Sequence, residues 1–316
     1  MEIEQLDSVE FAGLFPEPYF VYGRSGFNSL NAPKADAVFY LAFKERKYRL
    51  GLTLGARGRV LHSPFSAPFG GLVFTKEEVR ISYIDDALTK LSGWAREQGY
   101  ASLHLTLPPE IYHETFVAKQ VNALHRAGFS ITQIDLNYHF NTSKLDGKYV
   151  DSIWHNASKN LRIALGNELS FRECKSEDEN RLAYELIKRN REARGFPLKM
   201  SWEQVSDTAE LVDTDFFLVS HEKAGAIASA VVFNVAKEVA QVIYWGDLPE
   251  HSHLKTMNFL SYKIFDFYKS RNVKVVDIGP STESSVPNLG LCEFKESIGC
   301  SISQKLTFKK VLSVAG

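Results

Sequence analysis

The sequence predicts an α/β protein with mixed sheets (α+β), built as two tandem units of one plan. Three observations carry this. Short runs of branched and aromatic residues alternate with amphipathic helical stretches along the chain. The succession of three strands, a helix, a strand, a helix and a strand occurs once before the polar segment "NTSKLDGKYVDS" and once after it. The helix after the three strands begins near 83 in one half and near 253 in the other, and the next strands begin near 101 and 273, an offset of about 170 residues. We therefore expect an N-terminal unit at 1–145 and a C-terminal unit at 146–316.

The first half opens on the aromatic-rich "FAGLFPEPYFVYGRSGFNSLNAP". Three strands follow, "AVFYLAF", "KYRLGLTLG" and "RGRVLHSP", then the loop "FSAPFGGLVF". A helix near 83–97 places Ile84, Leu88, Leu91 and Trp94 on one face. Strand "ASLHLTLP", a helix near 111–127 and strand "FSITQIDLNYHF" complete the half.

In the second half a helix at 152–165 carries Lys159 and Arg162, and a longer one spans 178–194. Strands "DFFLVSH", "AIASAVVFN" and "EVAQVIYWG" come next. They lead to a helix at about 253–271 with Leu254, Met257, Leu260, Ile264 and Phe267 inward. Strand "VKVVDIG", a short helix within 288–300 and strand "SQKLTFKKV" close the chain.

Lys plus Arg number 37 and Asp plus Glu 38, with no block of like charge. This argues against a broad basic nucleic-acid surface, and we expect no DNA partner. No apolar run reaches the length of a membrane span, and "MEIEQLDSVEF" lacks the basic start of a secretion signal, so a cytoplasmic protein is expected. Three cysteines without a CxxC pair suit a reducing compartment. Nine histidines without HExxH or a Cys/His cluster give no support for a metal site.

One residue stands out of pattern. In "NLGLCEFKESIGC" a helical period of about 100° per residue puts Leu291, Phe294 and Ile298 on one face and places Lys295 between Leu291 and Ile298. Lysine is among the residues least often buried. Either its stem packs while its head reaches solvent, Glu296 or Asp277, or it is held there for chemistry.

The element order resembles that of the GNAT acyltransferase fold. Two such units in tandem resemble the FemAB family, the aminoacyltransferases of the methicillin-resistance type that build cell-wall peptide bridges. The resemblance is carried over about 150–310 by "IKRNREARGFPL", by "VIYWGDLPEHSHLKTMNFLSYKIFDFYKSRNVKVVDIG" with Asn258 near a helix start, and by "GLCEFKESIGC". The last matches a closing Gly-Leu-x-x-Phe-Lys-x-x-Phe/Ile-Gly motif. In the first half only the layout and "PFGGLVF" are similar. No heptad run supplies the coiled-coil arm of the cell-wall enzymes, and neither half has the glycine loop that grips coenzyme A in ordinary GNAT proteins.

The resemblance implies N-acyl transfer to an amine of a cell-envelope or polysaccharide precursor, with no tightly bound cofactor and with either aminoacyl-tRNA or an acyl-CoA as donor. It places Lys295 beside the transferred acyl group as a stabiliser of the oxyanion, with the backbone of Phe294 lining the same spot. Asp277, ending "VVDIG" beside a Gly-Pro turn, is a candidate base, with Asp247 and Glu283 as competitors. Tyr244 and Trp245 are candidates for an acceptor wall, although strand alternation sends them to opposite faces. Arg191 and Arg194 suit a phosphate or carboxylate, or alternatively serve the helix C-terminus, and Lys159 and Arg162 resemble a basic helix of the family. Gly70 and Gly71 would let backbone approach a ligand, or form a tight turn. The competing function is a non-catalytic binding module for a nucleotide sugar, peptide or partner protein.

Overall fold

The computed structural model describes residues 1–312. Two compact units divide the chain: Met1–Leu136 with the segment from Ser303 onward, and Asn137–Ile302. In the first unit the chain forms β1 (Glu2–Leu6), α1 (Ser8–Leu14), α2 (Ser25–Leu30), β2 (Ala37–Lys44), β3 (Tyr48–Arg57), β4 (Val60–Ser63), β5 (Val73–Phe74), α3 (Ile81–Glu97), β6 (Ser102–Thr106) and α4 (Glu114–Arg126). Strand β7 (Ser130–Asn141) runs past the unit boundary. The aromatic-rich opening, for which periodicity gave no elements, folds as α1 and α2. Asp7 caps α1 by accepting the amides of Val9 and Glu10 at 2.8 Å each, while Glu10 accepts the Asp7 amide. Phe11, Phe15 and Phe20 are thereby buried.

Strands β1-β2-β3-β4-β6 lie in that order, with β4 and β6 parallel through Val60–Ser63 and Ser102–Leu105. The core beneath joins Leu41, Leu52, Leu54 and Leu103 of the sheet to Ile84, Leu88 and Leu91 of α3 and Phe116 and Leu124 of α4. The predicted face of α3 is the buried one, with Trp94 at its rim.

In the second unit come α5 (Tyr149–Ser152), α6 (His155–Leu165), β8 (Leu169–Glu173), α7 (Glu177–Ala193), α8 (Trp202–Leu211), β9 (Thr214–His221), β10 (Gly225–Ala236), β11 (Val239–Asp247), α9 (Thr256–Ser270), β12 (Val275–Pro280), the hairpin β13 (Thr282–Glu283) and β14 (Val286–Pro287), and α10 (Leu289–Ser297). β15 (Ser301–Val311) ends the described chain. The duplicated plan is fuller than periodicity suggested. From β1 to β7 the order is strand, two helices, three main strands, helix, strand, helix, strand, and β8 to β15 repeat it. Sheet order repeats as well, β8-β9-β10-β11-β12 in place of β1-β2-β3-β4-β6.

The expected division at 145/146 needs correction in its last strand. β15 pairs antiparallel with β6, Thr307 opposite Thr106 and Val311 opposite Ser102, and so belongs to the first unit. The end of β7, Asn137–Asn141, pairs with β12 in the second. A strand's own residues specify that it pairs but not with which neighbour, so the exchange is invisible to local pattern.

Candidate active site

The site begins where a ladder stops. β11 and β12 run parallel only through Val239, Ala240 and Gln241 against Val275, Val276 and Asp277. Beyond that rung they no longer pair. The β10–β11 register also shifts just there: Val231 faces Tyr244 while Val232 faces Val242, leaving Ile243 as an extra residue. Such a bulge bends and twists its strand, which turns the end of β11 away from β12. The result is a fork whose closed end is the Gln241–Asp277 pair.

Asp277 is fully buried and its oxygens are occupied. Oδ2 accepts from Gln241 Nε2, and Oδ1 accepts from Asn137 Nδ2 and the Gly279 amide, all at 2.8 Å. Gly279, at φ +72°, lies within β12 where its register against β7 shifts between Asp277 and Pro280, in a conformation that suits a residue without Cβ. The carboxylate therefore pins the closed end of the fork. A polar Gln241 within an otherwise apolar strand run was the sequence signal for this pair.

Lys295 holds the other side. Its side chain is 2% exposed, and Nζ donates to the carbonyls of Ile278 at 2.8 Å, Gly279 at 2.8 Å and Pro280 at 3.2 Å. The ammonium lies 5.3 Å from the Tyr138 ring centroid. An ammonium has three hydrogens, and all three are directed at backbone oxygens. Burial pulls its pKa down to about 8, opposed chiefly by the charge of Asp277. The head reaches neither solvent nor Glu296, which instead accepts from the Tyr138 hydroxyl at 2.8 Å. The inward face of α10 is Cys292, Lys295 and Ile298, whereas Leu291, expected inside, is exposed. The Asn288 side chain fixes the helix start by accepting the Leu291 amide.

Phe294 is half-buried, its ring 6.3 Å from Trp245 in an edge-on arrangement. Its carbonyl accepts from Ser297 Oγ and the Ile298 amide. Tyr244, the neighbour of Trp245 on β11, is half-buried, and burial raises its pKa. Asp247 closes β11 at 5% exposure, and burial raises its pKa despite Arg194 Nη2 at 3.6 Å from Oδ1. Asn190 Nδ2 donates to the Asp247 carbonyl at 2.5 Å, fixing α7 to this strand end. Glu283 is exposed on the β13–β14 hairpin.

The arginines separate. Arg194 is exposed and pairs loosely with Asp247, and it also caps α7. Arg191 is half-buried, and its guanidinium has no hydrogen-bond or carboxylate partner among the described residues. Its charge is felt at Lys295 and at Tyr244. Asn258 is buried in the first turn of α9, and its side-chain amide has no partner among the described residues. Thr256 Oγ1 and Ser281 Oγ are also buried without partners, and pattern did not point to either. Lys159 and Arg162 lie exposed on α6, where Arg162 bonds Asp151 at 2.7 Å; a pair this open to water contributes at most about 1 kcal/mol.

Gly70 and Gly71 lie in the first unit, at its counterpart of the fork. There the β4–β6 ladder ends at Ser63 and Leu105, and the Gly70 amide donates to the next carbonyl, Thr106, at 2.8 Å. A Cβ on Gly70 would meet Ser63 Oγ at 2.7 Å and the Pro64 nitrogen at 2.8 Å, and one on Gly71 would meet Leu107 at 2.8 Å. The close approach these glycines permit is to the protein's own chain, which fills this fork. Among the described residues no group of three His, Cys, Asp or Glu side chains is placed to hold a metal ion, and no helix is long and apolar enough to cross a membrane.

No family model and no curated protein matches the sequence. Solved structures do match in fold. A structure described as FemX is 12% identical at a TM-score of 0.72, with 99% of this chain and 98% of that one covered. L-PGS from Bacillus licheniformis is 13% identical at 0.60, covering 96% and 92%. A tandem GNAT protein from the clavulanic acid biosynthesis pathway is 10% identical at 0.53, covering 100% and 99%. The chain thus has a FemAB-like tandem GNAT fold.

Proposed function

We propose that the chain is an N-acyltransferase working at the β11–β12 fork of the second unit. The observation that carries the reading is the early end of that ladder. Past Gln241 the edge of β11 offers main-chain groups to the gap instead of to β12, and N–H donors of this kind suit a developing acyl oxyanion. Its likeness in fold to FemX and to a tandem GNAT protein supports acyl or aminoacyl transfer.

In this reading an amine attacks the acyl carbon of a thioester or of an aminoacyl ester on tRNA. The C–S or C–O bond breaks, the leaving thiolate or ribose oxygen takes a proton, and the amine loses one to Asp247. A buried carboxylate with a raised pKa suits that transfer better than Asp277, whose oxygens already accept three hydrogen bonds. Arg191, charged and unpaired, would meet a phosphate of donor or acceptor. The acceptor is an amine of a cell-envelope or polysaccharide precursor. Because the first unit's fork is filled by Gly70, one site per chain is expected.

Thermal-shift titration with acetyl-CoA, coenzyme A and a charged tRNA tests this. A ligand at 100 times its dissociation constant stabilises by about 2.7 kcal/mol. A shift with acetyl-CoA or the charged tRNA supports the reading and identifies the donor. No shift with any of the three favours the non-catalytic binding module.

A further inference from the structure

The closing-motif lysine invites assignment as the group that bonds the reacting oxygen, yet its hydrogens are already committed. Nζ donates to three consecutive carbonyls, Ile278, Gly279 and Pro280, along the β12 side of the fork. Had the β11–β12 ladder continued past Asp277, backbone acceptors of this edge would have been met by β11 amides. Lys295 meets them instead, and so lets the strands part without leaving buried carbonyls unpaired.

The duplicated unit supplies an independent comparison. Lys295 is the seventh residue of α10, and the seventh residue of α4 is Gln120. Gln120 is also a buried polar side chain, 1% exposed, that bonds backbone at its own fork: Oε1 accepts the Leu72 amide at 2.9 Å, two residues after the Gly70 that fills the gap. The same helical position therefore organises the fork in both units, by a neutral amide in one and an ammonium in the other. Holding backbone is common to both; positive charge is not.

We propose that Lys295 is a positioning residue, which holds the Ile278–Pro280 edge of the fork and makes no hydrogen bond to the reacting acyl oxygen. The ammonium lies over the Tyr138 ring of β7, and the groups that act on its charge are Asp277 of β12, Cys300 before β15, Cys292 of its own helix and Arg191 of α7. Removing the lysine takes away the donor that these three carbonyls share. The proposal concerns the reaction only if the acyl-transfer reading holds, but the backbone role is measurable without a substrate.

The test is hydrogen exchange of the full chain with Lys295→Met and Lys295→Gln. Methionine keeps the stem without donors, whereas glutamine restores two donors without charge. Exchange of the segment from Ile278 to Asn288 should rise about tenfold in Lys295→Met, as for loss of one or two net hydrogen bonds, and return most of the way to wild type in Lys295→Gln. If Lys295→Met does not fold, a folded Lys295→Gln with wild-type exchange gives the same support. Equal exchange in wild type and Lys295→Met, or Lys295→Gln exchanging as fast as Lys295→Met, overturns the proposal. With acetyl-CoA or a charged tRNA as donor, turnover should follow the same ranking, Lys295→Gln well above Lys295→Met. Absence of turnover in the wild type would instead count against acyl transfer and leave the exchange result standing.

Discussion

Gln241 and Asp277 are the last opposed residues of the β11–β12 ladder, and their side chains are joined at 2.8 Å. This bond marks the closed end of the fork, with two further donors holding the same carboxylate. Asp277→Ala strands three donors in a buried place, which costs about 3 kcal/mol or more. Chemical denaturation should show that loss directly. A variant of unchanged stability with abolished turnover would restore Asp277 as a base.

Stability should depend on pH through Lys295. Its folded pKa is about 8, below the ordinary lysine value of 10.5, so between those limits the unfolded chain binds the extra proton. Unfolding free energy then rises with pH across that window, by up to about 1.4 kcal/mol per unit, and the contribution is lost as pH falls through 8. Denaturant midpoints at several pH values from 7.5 to about 10 should show wild type gaining on Lys295→Met. A flat difference would mean that the lysine does not titrate in this range.

Two glycines allow a close approach, of backbone at Gly70 and of a side chain at Gly246, and should not accept alanine. A Cβ at Gly70 falls 2.8 Å from the Pro64 nitrogen, so backbone must shift, at about 1–3 kcal/mol. At Gly246 it would fall 2.8 Å from Asn190 Cγ and push on the side chain that anchors Asp247. Gly70→Ala should lower the thermal midpoint alone, because its fork is filled. Gly246→Ala should also impair turnover.

Arg191→Gln should leave stability within about 0.5 kcal/mol, since no partner loses a bond. Affinity for a phosphate-bearing donor should fall about tenfold, as for loss of one charge-assisted contact. Paired thermal melts and ligand titrations separate the two effects. A large stability loss with intact affinity would make the arginine structural.

Much of the fold was legible because it is written in local periods. The face of α3, the three strands before α3 and α9, and the succession of elements follow from apolar spacing, whereas α9 buries Phe259, Phe265 and Tyr268 beside Leu260 and Ile264 and leaves Met257 and Phe267, expected inward, half-buried. α8 escaped although its capping box, Ser201 with Gln204, is plain in the residues, because its apolar face is short. Within the site, Lys295 was conspicuous as a cation on an inward face. What it touches was not, since Ile278, Gly279 and Pro280 present carbonyls that every residue has. Asp277 and Asp247 look alike in sequence, and only tertiary placement leaves one saturated and the other with a single loose cation.

The most direct test of the central claim is transfer of a labelled acyl group from acetyl-CoA, and separately from a charged tRNA, to an amine acceptor such as a UDP-linked muropeptide, comparing wild type with Asp247→Asn. The account predicts labelled amide from the wild type with one donor, and a rate lower by a factor of about 100 or more in Asp247→Asn at unchanged fold. No transfer from either donor, or full transfer by Asp247→Asn, would contradict it.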